Sequence, residues 1–321
     1  MSGSSATARA HLEAEKHPAP MSATEGFPGG ARFAFTILDD TDDATVENVR
    51  PLYDLLSELG LRTTKTVWPL DCPEGSDLYF AGQTLRDAEY RAFVRELVAR
   101  GFEIASHGAT MESSVRARTV RGLQYLRDTL GVVPVVHCNH GHNRENLYWG
   151  AERYRTPWLR FPLLGLERLM GRPRYSGHVP GSPYFWGDVC REQFQFVRNF
   201  AFATLNSGAI PPSGPYRLSS TPWVNYWFNT SDAPDVWHFN RLVTPQAIDR
   251  LIAEGGSCIL STHLGKGFVR HGRVDAQVED VLRYIAVRPG WFAPVSEILG
   301  FQLSRHSRDT IAPWTRWRLE L

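Results

Sequence analysis

Four cysteines, Cys72, Cys138, Cys190 and Cys258, stand far apart in 321 residues and form no CxxC pair. That spacing excludes a zinc ribbon, a redox dithiol and a disulfide-dense scaffold. An excess of one charge is also missing, since 35 Lys and Arg balance 34 Asp and Glu for a net charge of +1. A whole-chain balance of that kind shows no electrostatic footprint for nucleic acid or for an anionic membrane. No apolar run is long enough to span a bilayer. The opening stretch MSGSSATARAHLEAEKHPAPMSATEGFPGG lacks the apolar centre of a signal peptide. Residues 1–30 therefore read as a flexible tail of a cytoplasmic protein, and residues 31–321 as one catalytic domain. No GxGxxG follows a strand, and LGKGF around Lys266 lacks the upstream Gly and the following Ser/Thr of a P-loop.

What is present is alternation of strand and helix patterns. RFAFTIL, LRTTKTVW, FEIASH, VVPVVH, FQFVRNF, DVWHFN and SCILSTHL read as strands. TVENVRPLYDLLSELG, TLRDAEYRAFVRELVARG, ESSVRARTVRGLQYLRDTLG, TPQAIDRLIAEGG and DAQVEDVLRYIAVRPG read as helices. The stretch from Asn139 to about Pro234 is rich in Pro, Gly and aromatic residues, as befits a long insertion that builds binding surface. Repeated strand–helix units imply parallel strands with crossover helices, in which chemistry gathers at the C-terminal strand ends. Asp39 and Asp40 end the first strand, His107 ends the third, His137, His140 and His142 follow the fourth, and His263 ends a late one. A carboxylate and two imidazoles converging from separate strands can hold a divalent metal with an open position. A second carboxylate can act as general base and a further histidine as general acid. Asp39 and Asp40 are neighbours, so a regular strand sends them to opposite faces, and only a turn at the strand end aims both at one site. Asp42 and Asp43 read as the polar start and cap of the next helix. DDTDD also matches a DDxxD diphosphate motif, but that motif belongs to all-helical enzymes and here it follows an apolar strand.

At these positions the chain resembles the NodB-type polysaccharide deacetylases, carbohydrate esterase family 4. ILDDT stands where that family has Thr-Phe-Asp-Asp-Gly, and LVARGFEIASHGATM resembles its second motif. CILSTHLG is similar to the strand of its general-acid histidine, and GWFAPVSEIL to its closing segment. The resemblance implies a distorted (β/α) barrel and metal-dependent hydrolysis of an N- or O-acetyl group. It makes Asp39 the base, Asp40 and His107 metal ligands, and His263 the acid. Zn2+ is the implied metal, with Ni, Co, Mn and Fe as alternatives. Two positions depart from the family. Met111 stands where a second histidine ligand is usual, and a thioether is a poor ligand for such metals. HCNHGHN replaces the Arg-Pro-Pro motif, so the base loses its usual arginine. The same segment supplies a replacement ligand, His140 by preference because Asn139 and Gly141 let the loop turn, with His142 as the alternative and His137 left to the strand. Asn143 is expected to orient a carboxylate or the acetyl oxygen, and Trp186 to contact substrate. His178 and His238 read as ordinary cleft or core residues. The expected substrate is a small sugar-containing molecule or glycan. The competing readings are another hydrolytic or isomerising enzyme on the same barrel, a degenerate barrel that binds glycans without turnover, and a scaffold protein.

Overall fold

The computed structural model describes residues 26–72, 75–76, 82–305 and 311–320. The chain runs β1 (Phe33–Asp39), α1 (Val46–Glu58), β2 (Thr64–Val67), α2 (Ala88–Ala99), β3 (Glu103–Ser106), α3 (Arg116–Leu130) and β4 (Val136–His137). It continues through α4 (Pro157–Leu169), α5 (Gly187–Gln193), β5 (Phe196–Phe202), β6 (Tyr226–Asp232), α6 (Val236–Leu242), α7 (Pro245–Ala253) and β7 (Ser257–Thr262). A short hairpin of β8 (Val269–Arg270) and β9 (Arg273–Val274), then α8 (Ala276–Ala286), β10 (Gly290–Trp291), α9 (Val295–Arg305) and α10 (Pro313–Glu320) complete it.

Strands β1 to β7 lie side by side in sequence order, all parallel, and β1 also pairs with β7 from Ala34↔Ser257 to Asp39↔Thr262. The sheet is thus a closed seven-stranded parallel barrel with helices between the strands. β10 adds to the start of β1 through Phe33↔Gly290. A parallel barrel buries both strand faces, which is why β1 is buried at all seven positions. The alternation of side chains splits that strand between two cores. Phe33, Phe35 and Ile37 join Leu52, Phe93 and Ile248 in the layer between barrel and helices. Ala34 and Leu38 join Ala105, Val136, Cys138, Phe196, Phe228 and Ile259, one or two from each of most strands, inside the barrel.

Three local expectations are corrected. DVWHFN is helix α6, because the Asp235 side chain caps it by accepting from the His238 amide at 2.9 Å and Phe239 turns into the core. The sixth strand is instead YWFNTSD, which the aromatic and polar texture of the middle region concealed. Helix α1 is capped by Thr45, whose hydroxyl accepts from the Asn48 amide while the Asn48 side chain accepts from the Thr45 amide; neither Asp42 nor Asp43 caps it. Most of the expected N-terminal tail lies outside the described residues. Its end packs on the barrel, with Phe27 buried against Trp291 and Phe301.

Candidate metal centre and acid–base site

The inner-face periodicity of six of the seven strands, carried past the apolar core, leads to the site. Leu38 is followed on its face by Asp40, Ala105 by His107, Cys138 by His140, Phe196 by Arg198, Phe228 through Thr230 by Asp232, and Ile259 through Ser261 by His263. These six side chains and Asp42 line one cavity of about 480 Å³ at the C-terminal end of the barrel, with Trp149, Arg153, Tyr154 and Phe200 in its wall.

Asp42 reaches the cavity because the turn after β1 closes at once: the Ala44 amide donates to the Thr41 carbonyl at 3.0 Å and Asp43 takes a left-handed φ of 59°. Gly265 permits this turn to sit against the loop after β7. A Cβ there would lie 2.7 Å from the Asp43 carbonyl carbon.

Three ligand-type atoms meet in the cavity. Asp42 Oδ1 lies 3.3 Å from His107 Nε2 and 3.3 Å from His140 Nδ1, and the two imidazole nitrogens are 3.2 Å apart. Tetrahedral ligands bound at about 2.0–2.1 Å stand roughly 3.3 Å from one another, so the three atoms match three corners of such a set. Asp42 Oδ1 is buried and accepts no hydrogen bond, which fits an oxygen reserved for a cation. Asp42 is held ionised: burial opposes its charge, and His107, His140 and His263 outweigh burial. Burial pushes the His140 pKa down, toward the neutral imidazole that ligates metals. Trp68 packs against both rings, 5.0 Å from His140 and 6.0 Å from His107 between centroids. Met111 lies beyond it in a small apolar cluster with Trp68 and Cys72, outside the cavity lining.

Asp40 is the carboxylate beside this group. Arg198 donates to its Oδ2 at 2.6 Å and to Ser261 Oγ at 2.5 Å. Burial would raise the Asp40 pKa, but Arg198, then His107 and His263, lower it on balance. Its Oδ1 accepts no hydrogen bond and stands 3.8 Å from His107 Nδ1. On the far side, His263 donates from Nδ1 to the Pro234 carbonyl at 2.7 Å, which turns Nε2 toward Asp42 Oδ2 at 3.5 Å.

Asp39, expected as the base, is on the other face of β1. Its carboxylate is fully buried and accepts from Tyr53 Oη at 2.8 Å, Lys65 Nζ at 2.8 Å and the Leu264 amide at 2.9 Å. It does not line the cavity, where the base was expected, whereas Asp40, the expected ligand, does. The strand stays regular through Asp39↔Thr262, and the Asp40 amide still donates to Thr262, so no early turn swings Asp39 inward. Lys65 remains charged there: burial works against it, and Asp39 more than offsets burial.

His142 is directed away from the ligand group, to the Arg172 guanidinium and the Tyr175 hydroxyl. His137 is buried against Trp186 and Phe194, bonded to Ser106 Oγ at 3.2 Å, and pushed down to about 3 by burial. Asn143 lies outside the cavity lining. Its amide donates to the Thr110 and Glu112 carbonyls and to Glu145 Oε1, tying two loops together. Trp186 is a pillar of the core, 1% exposed, donating from Nε1 to the Glu145 carbonyl at 2.7 Å. Sequence reasoning missed Asp42, Arg198, Arg153, Trp149 and Asp232. An arginine in the middle of the apolar strand FQFVRNF was the available signal for Arg198.

No protein-family model matches the sequence, and no curated protein matches it. Solved structures do. A provisionally named polysaccharide deacetylase from Mycobacterium smegmatis aligns with a TM-score of 0.50 and 16% identity, over 91% of this chain and 97% of that one. Puue allantoinase aligns at 0.49 and 15% identity, over 87% and 93%. The peptidoglycan deacetylase PdaC from Bacillus subtilis aligns at 0.41 and 12% identity, over 87% and 95%. The chain has the NodB-type polysaccharide deacetylase fold, in a divergent form.

Proposed function

We propose that this barrel is a metal-dependent hydrolase that removes an acyl group, acetyl on nitrogen foremost, from a sugar-containing substrate. Asp42, His107 and His140 would hold the cation, Zn2+ by the tetrahedral spacing and the nitrogen-rich donor set. A cation so placed supplies polarisation of the acyl carbonyl and acidification of a nearby water. Asp40 takes the proton from the attacking water through Oδ1, while Arg198 fixes the carboxylate and keeps it ionised. The water oxygen bonds to the acyl carbon, and the carbon–nitrogen bond then breaks. His263 donates its Nε2 proton to the departing nitrogen, with Nδ1 anchored on Pro234. The observation that carries this reading is the meeting of three ligand atoms at 3.2–3.3 Å beside a carboxylate paired with arginine.

The arginine usual for such a base is supplied from β5, and the missing ligand from the loop after β4. Both points that favoured a degenerate, non-catalytic barrel therefore lose their force. Arg153 adds a substrate preference. It stacks 3.5 Å over the Trp149 ring in the cavity wall and forms no ion pair with a described residue, so it suits a substrate with a carboxylate or phosphate. Acetate release should be measured across N-acetylated amino sugars, their nucleotides and uronates, with and without prior chelation. Release that is abolished by chelator and restored by Zn2+ is expected. Stoichiometric metal with no release from any member of the panel would remove the hydrolase reading.

A further inference from the structure

Helix α4 is built inside out. Trp158, Phe161, Leu166 and Leu169 recur at helical spacing, yet they face solvent, with Phe161 67% and Leu169 85% exposed. The helix buries no residue fully. Its polar side chains turn back to the body instead: Arg160 pairs with Glu152 at 2.6 Å, and Glu167 accepts from the Ala151 amide at 3.0 Å. Helix α10 repeats the pattern with Trp314 and Trp317, which are also exposed. The two helices are joined, because the Glu320 carboxylate accepts from the Arg155 and Thr156 amides at the start of α4. Of the twelve large apolar side chains exposed among the described residues, seven lie on or directly after these two helices. Such a concentration marks a contact surface rather than ordinary scatter.

Charge identifies the occupant. Residues 155–174 hold five arginines, Arg155, Arg160, Arg168, Arg172 and Arg174, against the single acid Glu167. Arg168 and Arg174 are exposed and form no ion pair with a described residue. The net charge of +1 for the whole chain conceals this local excess. A second copy docking on the same face about a twofold axis would set these arginines against one another. No described helix is long and apolar enough to cross a membrane, so the surface suits lying on a bilayer rather than spanning one. Tryptophan, phenylalanine and leucine flanked by arginine is the composition that seats at headgroup depth on anionic lipid.

We propose that the α4–α10 face docks the protein on an anionic lipid bilayer. Trp149, Arg153 and Tyr154, immediately before α4, line the cavity, so docking brings the cavity wall close to the lipid headgroups. Joined to the acyl hydrolysis proposed above, and resting on it, this points to a glycan presented on a membrane lipid as the substrate class.

The full chain should be sedimented with vesicles of phosphatidylcholine alone and of phosphatidylcholine with an equal share of phosphatidylglycerol. Binding to the anionic vesicles, weakened by salt, is expected. Phe161→Ser with Leu169→Ser, both at exposed positions, should abolish it with thermal stability unchanged. Arg168→Ala with Arg174→Ala should weaken it about twenty-five-fold, from roughly fivefold per arginine. No binding to either vesicle at low salt would overturn the proposal. So would a concentration-dependent dimer that the Phe161→Ser and Leu169→Ser pair dissociates while vesicle binding is absent. The readout is independent of catalysis, so an inactive protein that still binds vesicles leaves docking intact and counts only against the hydrolase reading.

Discussion

Asp39 and Asp40 are adjacent carboxylates on opposite faces of β1, and the two faces give them opposite work. On the outer face, Asp39 is enclosed by Tyr53, Lys65 and the Leu264 amide, with its charge balanced and its oxygens occupied. On the inner face, Asp40 has one oxygen fixed by Arg198 and the other turned to the cavity without a hydrogen bond. Both carboxylates are buried and both are paired with a cation. What separates them is access to a reacting molecule, which the twofold periodicity of the strand decides.

The comparison can be broken at either residue. Asp40→Asn should lower kcat by about 10²–10⁴-fold, the usual worth of a general base, with metal content kept. Unchanged kcat would move the base elsewhere. Asp39→Asn should instead destabilise the fold by about 3–5 kcal/mol, because Lys65 is left buried without its counter-charge. Denaturant midpoints measure this, and a variant of wild-type stability with no activity would return Asp39 to the chemistry.

Glu145 sharpens the contrast as a buried carboxylate with neutral donors only, the Ser114 amide and the Asn143 side chain. Burial raises its pKa from 4.5 to about 7. A carboxyl raised on folding holds its proton more tightly in the folded state. Its contribution is therefore complete below about pH 4.5 and is lost as pH rises through about 7, by about 3 kcal/mol in all. Glu145→Gln should flatten unfolding free energy across that window. An unaltered pH profile would show that the group titrates normally.

The barrel was legible in the sequence because helices such as TLRDAEYRAFVRELVARG and strands such as SCILSTHL carry strong periodicity. The strand YWFNTSD was not, because a buried strand ending in polar residues inside an aromatic insertion carries no alternation to read. His107, His140 and His263 were legible as strand-end histidines. Asp42 was not: the sequence signal for a helix start and for a ligand in a tight turn is the same acidic residue. The motif was read at Asp39 and Asp40, whereas Asp40 and Asp42 line the cavity. Counting inward positions from Leu38 reaches Asp40, and the turn that follows brings in Asp42.

The central claim is that Asp42, rather than Asp40, completes the metal centre with His107 and His140. Metal content per chain of purified Asp42→Ala protein, set beside Asp40→Asn and His142→Ala, tests it most directly. The account predicts loss of metal in Asp42→Ala and near-stoichiometric metal in the other two. Full metal in Asp42→Ala, or loss in Asp40→Asn, would contradict it.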